Sequence, residues 1–312
     1  LNAAPPLKPD VEAALASGQI IAAPELGDIF PPERGRGGVL GWMLHRKAAS
    51  LGIAIVLFVT LVAIFAPHLA KFDPSTISPT TRLKPPSAQN YFGTDMLGRD
   101  IYSRIVYGSR VSLAVGFTVA VLSAVAGLMM GLVAGYVRVL DGPVMRFMDG
   151  VMSIPGVLLA IALMALSGGS MRTVIVAITI VEIPRVARLV RGVVLSIREQ
   201  PYVEAAIAAG TSSIMIMLRH ILPNTLAPLM VQATYVCAAA MLLESILSFV
   251  GAGIPPTIPS WGNIMADGRA LWQLKPSIIF IPALCLSVTI LAINMIGDGF
   301  RDALDPRAQK RM

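Results

Sequence analysis

The sequence predicts an all-α integral membrane protein of about six transmembrane helices, with an amphipathic cytoplasmic loop at 201–223. Composition is the first reason. Of 312 residues, 55% are hydrophobic and only 14% charged, where a soluble domain carries about 25% charged residues. Mean hydropathy is +0.72. The second reason is the recurrence of apolar runs of about twenty residues, the length a bilayer demands of a helix. The third is the interruption of that pattern by PYVEAAIAAGTSSIMIMLRHILPN. There Glu204, Arg219 and His220 stand where a span needs apolar side chains, each charge costing about 3 kcal/mol at the bilayer centre.

Residues 1–45 are rich in Pro, Gly and Ala and read as a cytoplasmic tail. No charged start leads directly into an apolar run, so a cleaved leader is not expected. The first span is expected at 48–69. Arg34, Arg36, Arg46 and Lys47 precede it, which puts the amino terminus inside under the positive-inside rule. With its polar outer loop this unit covers 46–110, and the transmembrane domain proper covers 111–298. The loop ends in YFGTDMLGRDIYSRIVYGSR, which reads as a turn and an interfacial helix with Tyr102 and Tyr107 at headgroup level.

The second span is expected at 111–136. Ser123, Gly127, Gly131 and Gly135 recur every fourth residue, one face of a helix where small side chains let another helix approach. A third span at 145–167 carries Pro155-Gly156, a kink or unwinding signal, and Asp149 within reach of Arg146. A fourth, at 171–194, ends in Arg185, Arg188 and Arg191, which mark the cytoplasmic side. The fifth and sixth are expected at 225–250 and 277–296. Between them an outer segment carries Trp261 and Trp272, read as interfacial, and 299–312 is a basic cytoplasmic tail.

Within 201–223, good helix formers at 204–209 are followed by Gly210, suited to a left-handed cap. Thr211, Ser212 or Ser213 can then cap a second short helix, which Pro223 is expected to close. Two ionisable residues fall at membrane depth, Glu182 and Glu244. They are candidates for a translocation path. The competing reading is structural, with Glu182 paired to Arg185 at helical spacing and Glu244 bonded to a neighbouring helix.

Several chemistries lack their residues. There is no G-x-x-x-x-G-K-[ST] phosphate loop and no Gly-Lys dipeptide, so the chain by itself has no nucleotide-hydrolysing signature. No G-x-S-x-G nucleophile motif occurs. His45, His68 and His220 are scattered without metal-ligand spacing, and Cys237 and Cys285 fall in apolar spans as packing residues. No bound metal or cofactor is expected. The net charge of +7 flanks apolar segments rather than stacking aromatics, which excludes a nucleic-acid surface.

The spacing Glu204-Ala205-Ala206, Gly210, Leu222-Pro223, with Arg219 between, resembles the EAA loop in permease (C-type) subunits of binding-protein-dependent ABC importers. FGTDMLGRD and LESILSFVGAG followed by PSWGN resemble the dipeptide and oligopeptide branch of that family. The resemblance implies a coupling loop seated on cytoplasmic ATPases that bind ATP and Mg. It also implies a homologous second permease, two ATPase subunits, an extracytoplasmic peptide-binding protein and a place among lipid in a bacterial or archaeal inner membrane, both termini cytoplasmic. Peptides are the implied cargo, with nickel, glutathione or other small cargo as an alternative. A proton-coupled secondary transporter is the remote alternative.

Overall fold

The computed structural model describes residues 46–304, and their architecture is all-α, as predicted. Among them the only β feature is an isolated bridge between Thr94 and Asp100. Helix α1 (Lys47–Ile64) ends at Phe65, and the short α2 (Ala66–Leu69) follows. Pro67 has no amide to continue the first helix, so the expected single run over 48–69 is broken.

Helix α3 (Ile101–Tyr136) is 36 residues, about 54 Å, longer than the ~30 Å hydrocarbon core. It begins ten residues before the expected span, because Asp100 caps it: Ser103 N donates to Asp100 Oδ2 at 2.8 Å. Helices α4 (Arg138–Ser153) and α5 (Gly156–Ser167) meet at 90° across Ile154-Pro155. The 145–167 run is therefore not one straight helix. At 12 residues, or about 18 Å, α5 is too short to cross alone.

Helix α6 (Met171–Arg198) opens with a reciprocal Ser170–Thr173 capping box. Then come α7 (Pro201–Ala208), α8 (Ser213–Ile216), a π-helical turn (Met217–Ile221) and α9 (Leu222–Val250). Helix α10 (Trp261–Gly268) precedes α11 (Ser277–Leu304), which runs past the expected end at 296.

Among the described residues four stretches are long and apolar enough to cross a membrane: α1, α3, the continuous 213–250 run and α11. The α4–α5 pair makes a fifth if it counts as one broken span. The expected fourth span coincides with α6, which has the length but carries Glu182, Arg185, Arg188 and Arg191. Length and apolarity thus give four or five spans where six were expected.

The core lies on both sides of α3 and α9. One cluster joins Val115 and Val119 of α3 to Ile178, Val186 and Val190 of α6 and Val236 and Leu247 of α9. The other joins Ile101 and Ile105 to Met241 of α9, Trp261 and Ile264 of α10 and Ile278 and Leu286 of α11. Helices α3 and α6 run parallel in step. A β-carbon on Gly127, Gly131 or Gly135 would stand 2.5, 2.6 or 2.7 Å from the Cβ of Val186, Val190 or Val194. Ser123 lies one turn back on the same face and is fully buried.

Candidate functional site: the 201–222 loop and the buried charges that frame it

The loop is an elbow hung from a buried anchor. Pro201 sits in the first turn of α7, where a missing amide costs nothing. Val203 is buried in the same apolar cluster as Ile216 and Ile221. Gly210 N donates to Ile207 O at 2.9 Å and Thr211 N to Ala206 O at 3.1 Å, the two bonds of a Schellman cap. Gly210 takes φ +78°, and nothing lies within 4 Å of where its β-carbon would be. The need for glycine is conformational, not steric.

The second arm differs from the expectation. Ser212 precedes α8, yet no side chain caps that helix. Pro223 does not close it either: the chain passes through the π turn directly into α9, with Pro223 in its first turn. Leu222 N bonds Met217 O across the π turn, and that shift of the ladder lets a proline follow without breaking the helix, so the second arm is the start of a 38-residue helix.

Glu204, Ala205, Gly210, Arg219 and Pro223 are exposed, while Ala206 and Leu222 are half-buried. Among the described residues neither Glu204 nor Arg219 makes an ion pair. Tyr202 and His220 bring the arms together, ring centroids 6.1 Å apart. Sequence reasoning missed the apolar contribution. Ile207, Ile214, Met215 and Leu218 are each about half exposed or more, a group of large apolar side chains of the kind that marks an interaction site. Their periodicity in the sequence was the available signal.

The arginines in the C-terminal half of α6 clamp the neighbouring helices. Arg191 forks onto Asp141 of α4, with Nη2 to Oδ2 at 2.7 Å, and Arg188 Nη2 reaches Asp149 at 2.6 Å. Asp149 therefore pairs with Arg188 and not with Arg146. Arg198 Nη1 donates at 3.3 Å to the carbonyls of Gly135 and Tyr136, closing the end of α3.

The two acids expected at membrane depth are both buried within the protein. Glu182 lies 3.5 Å from Arg185 Nη1. Glu244 sits among serine hydroxyls from two helices: Ser248 Oγ donates at 2.8 Å, and Ser112 of α3 and Ser245 lie at 3.5 Å. Those serines bond onward, Ser112 Oγ accepting from Trp261 N and Ser248 Oγ from Ile254 N. Glu244 thus ties α3 and α9 to the segment that carries Ile254 and Trp261. Trp261 is buried, its Nε1 donating to Ile105 O at 3.1 Å, whereas Trp272 is exposed.

The FGTDMLGRD stretch forms the expected turn ahead of a helix, and it is built as a charged clasp. Asp95 accepts from Leu97 N, Arg99 N, Arg99 Nε and Arg104 Nη1 at 2.7–2.9 Å. Asp267, beyond the end of α9, takes Arg99 Nη2 and Arg104 Nη1 at 2.7 Å each. Asp100 also accepts from Asn90 Nδ2 at 2.8 Å. Gly93 and Gly98 turn the chain at φ +77° and +76°. Lys275 adds a second tether through its ammonium, bonded to the carbonyls of Leu83 and, at 2.7 Å, Lys84. Burial pushes its pKa below the ordinary lysine value. Among the described residues no group of three or more His, Cys, Asp or Glu gathers as a metal site.

Comparison with known proteins bears on both halves of this geometry. Residues 96–310 match the family described as binding-protein-dependent transport system inner membrane component. Residues 43–86 match the N-terminal TM domain of oligopeptide transport permease C. The chain is 52% identical to a probable peptide ABC transporter permease protein, y4tQ, of Sinorhizobium fredii, over 84% of this chain and 89% of that one. It is 41% identical to the dipeptide transport system permease protein DppC of Alkalihalophilus pseudofirmus, over 89% and 93%. With the oligopeptide transport system permease protein OppC of Bacillus subtilis it shares 37% over 85% and 87%. A chain from inward-facing conformations of the MetNI methionine ABC transporter superposes with TM-score 0.57 at 21% identity, over 66% of this chain and 98% of that chain, a likeness of fold. With the family matched over most of its length, this chain belongs to the inner-membrane permease components of binding-protein-dependent ABC transport systems.

Proposed function

We propose that this chain is one of two permease subunits that together form the translocation path of an ATP-driven importer of dipeptides or oligopeptides. Its peptide cargo is inferred from relatives named as peptide, dipeptide and oligopeptide permeases. The observation that carries the coupling reading is the loop itself. A Schellman elbow at Gly210 presents two short arms, unpaired Glu204 and Arg219, and a group of exposed apolar side chains. Such a surface suits a cleft on another protein, with Ala205, Ala206, Leu222 and Pro223 lining the contact. Helix α6 enters the loop and α9 leaves it, so displacement of the loop acts on both.

The energy source belongs to the partners. Two cytoplasmic ATPase subunits hold ATP and Mg, because this chain has no phosphate-cradling loop. An extracytoplasmic peptide-binding protein delivers cargo to the outer face, near the 70–100 loop and the 251–276 segment. Both termini lie in the cytoplasm of a cell with an inner membrane. The tail at 1–45, and most of the one at 299–312, fall outside the described residues. Glu182 and Glu244 act structurally, Glu182 paired with Arg185 on its own helix and Glu244 joining α9 to Ser112 of α3.

The test is reconstitution. Purified with its second permease and ATPases in liposomes, the complex is expected to accumulate labelled dipeptide only with internal ATP and loaded binding protein outside. Accumulation driven by a proton gradient without ATP would overturn the proposal.

A further inference from the structure

Most hydroxyls inside the bundle turn back onto their own helix. Ser109 donates to Val106 O, Thr225 to Leu222 O, Thr234 to Val231 O and Thr289 to Cys285 O. Ser123 and Thr179 do not. They are 0% and 8% exposed, and neither hydroxyl has a hydrogen-bond partner in the protein. Glu182, 3% exposed, gives one oxygen to Arg185, while its Oε2 has no partner.

These three orphaned oxygens belong to one place. The pairing of Gly127 with Val186, Gly131 with Val190 and Gly135 with Val194 sets the register of α3 on α6. One turn back, that register puts Ser123 opposite Glu182. It puts Ala120 opposite Thr179, which lies one turn before Glu182 on the same face. Ala120 carries the smallest apolar side chain and is buried, and the remainder of this interface is apolar.

Unpartnered oxygens in such surroundings bear the whole cost of desolvation. None of the three makes a hydrogen bond to another, so a one-atom bridge is the fitting guest. A cation is disfavoured, because the Arg185 guanidinium already stands at the other oxygen of Glu182. Water has the right inventory: it donates to Glu182 Oε2 and accepts from the Ser123 and Thr179 hydroxyls.

We propose that a buried water bridges Ser123, Thr179 and Glu182 and locks α3 to α6 inside the membrane. The second lock is Arg198 on the end of α3. Between them lies the close-packed glycine–valine stripe, so the two helices move as one body. That this body transmits the motion of the 201–222 loop rests on the proposed function; the water does not.

A map of the full chain in its membrane assembly that resolves ordered waters is expected to show a peak within hydrogen-bonding distance of all three oxygens. Hydroxyls bonded to backbone or directly to Glu182, with no peak, overturn the proposal. Thermal denaturation of Ser123→Ala, Thr179→Val and the double variant gives a second measurement that does not depend on transport. Each single change is expected to lower Tm by about 2–4 °C. The double variant should fall scarcely further, because all three lose the same water. Additive losses would overturn the shared bridge, whatever the variants do to uptake.

Discussion

Gly127 of α3 and Val186 of α6 approach so closely that a β-carbon on the glycine would lie 2.5 Å from the valine Cβ. Helix association in a bilayer rests on packing rather than on the hydrophobic effect, so this approach is what joins α3 to α6. A larger residue must push α6 away or distort it. We expect Gly131→Leu, at the centre of the stripe, to destabilise the chain by about 1–3 kcal/mol. The readout is a lower Tm and less assembled complex in membranes. Gly142→Ala is the control, since nothing lies within 4 Å of that position.

Gly210 poses a different constraint. Its φ of +78° and empty surroundings make the cost of a side chain purely conformational, about 1–2 kcal/mol and more when β-branched. Gly210→Val is therefore expected to insert and fold normally but to bind the ATPases poorly. Gly210→Asn, which tolerates the left-handed region, should restore most of that binding. Equal binding by the glycine and valine forms would show that the elbow is only a connector.

The outer clasp predicts a local failure. Asp95 and Arg104 are both about 1% exposed, and removing one partner of such a pair costs about 3–5 kcal/mol. Asp95→Ala should loosen the 70–100 loop, seen as faster proteolysis there with the spans still protected. The double variant with Arg104→Met is expected to lose less than the sum of the singles. Strict additivity would mean the two charges do not depend on each other.

Glu244 sits among hydroxyls that can turn to accept as well as donate. Glu244→Gln should keep the cage and leave peptide uptake within about 3-fold of the parent, with an unchanged pH profile. Glu244→Leu should fail, because it strands the serines. A steep, pH-dependent loss in the glutamine form would instead favour proton coupling.

Topology is open to labelling at exposed positions. Cysteines introduced as Gly169→Cys and Thr257→Cys are expected to react with an impermeant thiol reagent from outside intact cells. Ser212→Cys, exposed on the loop and making no capping bond, should not. Labelling of position 212 from outside would invert the arrangement.

Much of this was legible in one dimension because a bilayer is a severe solvent. It forces long apolar runs, drives Glu204 out of them, and confines cations near span ends, so the helical class and the amphipathic loop near 201–223 appear directly in the residue pattern. The four-residue recurrence of Ser123, Gly127, Gly131 and Gly135 likewise announced a packing face. Pro223 misled because the π turn before it shifts the hydrogen-bond ladder and lets the helix run on through the proline. Asp149 misled because Arg146 is near in sequence while Arg188 is near in space.

What the sequence determined by itself was therefore the class of fold, the helical segments to within a turn or so at many of their ends, and the glycine that turns the loop. All are consequences of solvent and of local backbone sterics. Only the tertiary structure decided which residues meet: Val186 against Gly127, Asp267 against Arg99 and Arg104, Ser112 against Glu244, and three orphaned oxygens of two helices in a single register. Those pairings span from about sixty to well over a hundred residues of chain. They follow from how the helices stack, and no local preference specifies that.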